Sequence, residues 1–98
     1  MRRVDEIYSC VYNAVTEEIE LPENWMKSRM EDCVDARYIL VNQLSTCGLS
    51  RNQICSKTCL PKTTVREYIN TYAERIKTRK IMAQWGAEIG RKLGHKAL

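Results

Sequence analysis

The chain contains no phenylalanine, two prolines, four glycines and a single histidine. So few breakers, in a sequence rich in Leu, Ile, Glu, Lys and Arg, leave little to interrupt helices. One histidine, with no paired acidic pocket legible in the pattern, leaves little to catalyse with, so no enzyme is expected. A Gly-rich loop closed by Lys-Ser/Thr is missing, which excludes that kind of nucleotide site. No apolar run approaches the ~20 residues that cross a bilayer. The opening "MRRVDEIYSC" meets Asp5 and Glu6 directly after its basic start, unlike a signal peptide. A cytoplasmic chain without membrane association is expected. The sequence shows no internal repeat and no low-complexity segment.

The cysteines are an odd five: Cys10, Cys33, Cys47, Cys55 and Cys59. In a reducing compartment they serve as small apolar thiols. Cys55 and Cys59, four apart, could share a helix face and, with Cys47 or His95, could in principle make a zinc site. Their spacing matches no paired-ligand knuckle, so no metal and no cofactor is expected.

What is present is charge, unevenly placed. The 98 residues are 44% apolar and 29% charged, the balance of one globular domain, with a formal net charge of +4. Residues 1–50 carry five basic and nine acidic side chains, a net of −4, and residues 51–98 carry eleven and three, a net of +8. A basic half beside an acidic one points to a polyanion partner.

Periodicity predicts an all-α bundle. Val4, Ile7, Val11, Val15 and Ile19 recur at helical steps over 4–19, and "ELPEN" ends that helix at Pro22. A second helix is expected from Asn24 to Cys47, with Met26, Met30, Cys33, Leu40, Leu44 and Cys47 inward and Gly48 as its C-terminal cap. Ser50 and Gln53 form a capping box for a short third helix around Ile54. A fourth starts at Pro61 or Lys62, burying Val65, Ile69, Tyr72 and Ile76. "KTRK", 77–80, either bends this helix or continues it. The tail, 81–98, is expected to bury Ile81, Trp85, Ile89 and Leu93, with Gly86, Gly90 and Gly94 on the neighbouring stripe. It either folds back over the core or binds a protein partner or a second copy. Val11, Val15, Leu40, Leu44, Ile54, Val65, Ile69 and Tyr72 are expected to meet in one core.

Residues 50–76 have the pattern of a helix-turn-helix, in which the first helix braces the second and the second presents its N-terminal turn to a major groove. Helix N-termini leave amides unpaired, and these suit phosphate. Lys62 adds charge. The hydroxyls of Thr63 and Thr64 can donate to phosphate or base edges, and their methyls can meet a thymine methyl. Double-stranded DNA is therefore the expected partner. Lys62, Thr63, Thr64 and Arg66 would meet the groove, and Arg37, Arg51, Lys57 and Asn70 would touch backbone or neighbouring bases. The alternative is a protein-interaction module on the same scaffold.

The stretch "DARYILVNQLSTCGLSRNQICSKTCLPKTTVREYINTY", 35–72, resembles the C-terminal DNA-binding domain of the bacterial replication initiator DnaA, itself similar to the Trp repressor. Ala36-Arg37 opens a long apolar helix, a Ser-led short helix carries Ile54, and Thr63-Thr64-Val65 starts the recognition helix. The resemblance implies that Arg37 reads the minor groove or backbone and that the residues up to the paired threonines read the major groove. Leu60, Pro61 and Lys62 stand where the family usually has Arg-Asp-His, and "KTC" replaces its Gly-rich turn. The family's base readout is thus largely missing, as is its ATPase domain.

Overall fold

Helices make up every regular element among the described residues: α1 Val4–Glu18, α2 Glu31–Thr46, α3 Arg51–Thr58, α4 Lys62–Thr78 and α5 Lys80–Ala97. The computed structural model describes residues 3–97, with side chains through 94. The fold is a small all-α bundle. Its radius of gyration is 12.3 Å, against about 12.6 Å for a compact domain of this length.

The axis of the bundle is α2, which touches every other helix. Its residues from Asp35 to Val41 are buried without a break. Around it pack Val11, Ala14, Val15 and Ile19 from the α1 side, Ile54 from α3, Val65 and Tyr68 from α4, and Met82, Ile89 and Leu93 from α5. Of the expected core, Val11, Val15, Leu40, Leu44, Ile54 and Val65 are fully enclosed. Ile69, Tyr72 and Ile76 only rest against its edge. The inward line of α4 therefore runs one position earlier, through Tyr68, whose ring stacks on Tyr38 with centroids 4.1 Å apart.

Two helix ends are closed as the sequence predicts. The Ser50 hydroxyl accepts from the Gln53 amide at 3.2 Å, and the Ser50 amide donates to Gln53 Oε1 at 2.8 Å. After α2, Gly48 takes φ 101°. Its amide donates to Ser45 O at 3.0 Å and that of Leu49 to Leu44 O at 3.1 Å. This is the paired C-terminal closure that a left-handed glycine permits.

The second helix does not begin at Asn24. The Asn24 carbonyl accepts from Lys27 and Ser28 at 2.9 and 3.0 Å, closing a turn, and α2 starts seven residues later. The turn buries Trp25, whose indole donates to the Tyr12 hydroxyl at 3.3 Å. It also brings the Trp25 carbonyl to Arg37 Nη1 at 2.5 Å. In an unbroken helix these two residues would lie about 18 Å apart along the axis, out of reach. Met30, expected inside, is 62% exposed as a consequence.

The charged stretch 77–80 breaks the chain direction at Arg79, φ −118° and ψ 88°. Beyond it α5 folds back over α1, α2 and α4. Its buried line is Met82, Gly86, Ile89 and Leu93, while Ile81 is 41% exposed and Trp85 only half-buried. Of the glycines, Gly86 is the one this rotation buries. A Cβ at Gly86 would stand 2.5 Å from the Tyr72 hydroxyl, and one at Gly90 would stand 3.5 Å from Gln43 Nε2.

Candidate nucleic-acid interface

Three residues, Cys59 to Pro61, join α3 to α4. Cys59 adopts the left-handed conformation, φ 62°, that glycine more often takes. Thr58 steadies the turn by donating to Ile54 O at 2.7 Å and accepting from the Leu60 amide at 3.3 Å. Pro61 then starts α4, and no described side chain caps that end. The result brings the first turn of α4 beside the first residue of α3. Arg51, Lys62, Thr63 and Arg66 line one surface pocket of about 240 Å³.

Most of the other described cations of the basic half pair with carboxylates of the fold. Asp35 is fully buried on α2 and accepts from both Arg75 and Arg79. Arg79 also reaches Glu31 at 3.2 Å and Asp32 at 3.7 Å. The hydrogen bond that Arg79 donates to Asp35 holds its guanidinium above its ordinary pKa. Arg75 lies 4.6 Å over the Tyr38 ring, and Thr71 donates to the Tyr38 hydroxyl at 3.2 Å. Lys92 pairs with Glu18 at 3.2 Å, Arg91 with Glu88 at 2.6 Å and Lys77 with Glu74 at 3.5 Å. Among the described cations from residue 51 onward, this leaves Arg51, Lys62, Arg66 and Lys80 without a carboxylate partner. Three of those four line the pocket.

The expected site residues thus separate into groups. Arg51, Lys62, Thr63 and Arg66 come together and, like Asn70 one turn further along α4, are exposed. Thr64 is half-buried beside them. Lys57 is turned to α1, where it pairs with Asp5 and is two-thirds covered. Arg37 is a correction: only 8% exposed, it donates to Trp25 O and, at 3.4 Å, to the Tyr68 hydroxyl. Its guanidinium lies between the 22–28 turn and α4, with Nε and Nη1 turned inward and little of the side chain at the surface. Sequence reasoning passed over Asp35 altogether. The signal was present: one acid inside the apolar run of α2, and arginines four apart at 75 and 79.

No disulfide joins the cysteines. Burial, and then the neighbouring Cys10, push the Cys47 thiol above its usual pKa, which keeps it protonated and poorly nucleophilic at neutral pH. No group of three metal-ligating side chains occurs among the described residues. The side chain of His95 lies outside them. No described helix is long and apolar enough to cross a membrane. Compared with known proteins, the chain matches no family model, no curated protein and no solved structure.

Proposed function

We propose that this chain is a small double-stranded DNA-binding protein in which α3 and α4 act as a helix-turn-helix. In this reading α3 braces α4, and the first turn of α4 enters a major groove. The observation that carries it is the selective distribution of free charge: most described cations of the basic half pair with carboxylates of the fold, and three of the four unpaired ones gather where α3 and α4 begin. Lys62, Thr63, Thr64, Arg66 and Asn70 supply the groove-facing set, with Arg51 on the backbone. The likeness to the DnaA C-terminal domain supports the same domain type through the paired threonines at the start of α4, without extending to replication initiation. A regulator or a phage or mobile-element accessory protein, working in the cytoplasm, fits a domain of this size and charge.

The test is an electrophoretic shift with mixed-sequence duplex at two salt concentrations. Binding must weaken steeply with salt. Replacing Lys62 and Arg66 together by Ala lowers affinity and reduces the salt slope by about one unit for each phosphate no longer neutralised. A folded double variant with unchanged affinity and slope removes the groove contact from this face.

A second reading, a protein-interaction module, is favoured by the exposed side chains of Met30 and Ile81. They flank the Glu31–Arg79 ion pair in sequence, at the start of α2 and of the tail helix. A partner protein or a second copy seated on that tail would cover them. Its binding would strengthen or hold as salt rises.

A further inference from the structure

We infer that the pocket between the starts of α3 and α4 is a site for one phosphate group, held jointly by Arg51, Lys62 and Arg66. The inference deepens the DNA reading but rests on it only for where the phosphate comes from. Three like charges from two helices around one concavity repel one another, and no carboxylate among the described residues relieves them. The contrast with the remainder of the chain makes this informative. The Arg75–Arg79 pair is built around the buried carboxylate of Asp35. At Arg51, Lys62 and Arg66 no described carboxylate takes that place, so an anion seated there would come from outside. A surface concavity of about 240 Å³ is also wide enough to admit a phosphate.

The chemistry favours phosphate over a carboxylate. Two guanidinium forks and an ammonium offer donors on several sides of the ligand, matching a tetrahedral oxyanion, and the Thr63 hydroxyl adds a neutral donor. The first turn of α4, which no side chain caps, contributes Lys62 and Thr63 to the pocket lining. Because Arg51 comes from α3 and the other cations from α4, the bound phosphate bridges the two helices and fixes how α4 is set against its ligand. Contacts beyond it fall to Thr64 and Asn70. The phosphate is either a diester of the duplex backbone or a free monoester.

The two sources separate by experiment. Inorganic phosphate is titrated into the full chain and followed through backbone amide shifts, and duplex binding is measured in parallel across a salt series. Variants are Arg51→Ala and Arg66→Gln, with Lys80→Ala as an unpaired cation outside the pocket. Helical circular dichroism confirms that each is folded. The expected result is saturable phosphate binding with shifts centred on Arg51 and Lys62–Arg66, weakened at least ~tenfold by either pocket variant and unaffected by Lys80→Ala. In the duplex arm, Arg51→Ala lowers the salt slope by about one unit. Phosphate binding without duplex binding upholds the pocket, assigns it a monoester and removes the DNA reading. Duplex binding with no saturable phosphate site, and with Arg51→Ala indistinguishable from the parent, overturns the pocket and leaves the DNA reading standing. Phosphate binding that neither Arg51→Ala nor Arg66→Gln weakens also overturns it.

Discussion

Arg37 shows how one side chain changes its meaning when its surroundings are known. In the sequence it is a cation beside an alanine at the head of an apolar helix, a plausible contact to DNA. In the fold its donors go to the Trp25 carbonyl and the Tyr68 hydroxyl, both internal. Removing it strands those acceptors away from water, so Arg37→Ala should lower unfolding free energy by about 2–3 kcal/mol in urea denaturation. A fully stable Arg37→Ala protein with reduced duplex affinity would return the residue to the interface. Cys59 is the second instance. A β-carbon in the left-handed region costs roughly 1–2 kcal/mol, and glycine's greater freedom in the unfolded chain offsets part of the gain from removing it. Cys59→Gly is expected to stabilise by about 0.5–1 kcal/mol. A drop in stability would mean that the thiol makes an interaction worth more than the strain.

At the scale of elements, the approach of α5 to α4 is decided where a glycine meets a tyrosine. A Cβ at Gly86 falls 2.5 Å from the Tyr72 hydroxyl but 3.8 Å from Cζ. The obstacle is the hydroxyl alone. Gly86→Ala gains helix propensity of about 1 kcal/mol and loses it, or more, to displacement of that ring. In a Tyr72→Phe background the clash is gone, and the same substitution should stabilise by about 1 kcal/mol. A double-mutant cycle measures the coupling directly. Additive effects of the two changes would show that α5 does not approach α4 at Gly86. The joint between α4 and α5 follows similar logic: Arg79 leaves helical geometry at the point where its guanidinium reaches Glu31, Asp32 and Asp35 on α2.

Across the whole molecule the helices share one core, so no helix should melt alone. Leu44 is fully buried at its centre. Leu44→Ala should cost about 2–5 kcal/mol, and a single transition should persist, with circular dichroism and tryptophan fluorescence changing together. Trp25 and Trp85 report from opposite ends of the sequence, the first enclosed by the 22–28 turn and the second at the rim of α5. Separate midpoints for the two probes would break the core into independent units. The same scale governs charge. The acidic first half and basic second half, which suggest a polyanion partner when read along the chain, largely meet each other in space through Asp5–Lys57, Glu18–Lys92 and the Asp35 cluster.

The sequence by itself determined the helical class, the caps at Ser50 and Gly48, the break at Pro22 and most of the central core. Each of these follows from local chemistry: side-chain period, a capping hydroxyl, a glycine free to turn left, a missing amide. It also picked out Lys62, Thr63 and Arg66 as neighbours, because they share one face of a single helix. Only the tertiary structure decided which cations remain free. Pairing is a matter of distance between residues far apart in the chain: Arg37 meets the Trp25 carbonyl only because the chain turns at Asn24, and Asp35 meets Arg79 across forty-four positions. It likewise decided the rotation of α5, which keeps Ile89 and Leu93 of the apolar stripe inside but turns Gly86, close to the Tyr72 hydroxyl, inward in place of Trp85.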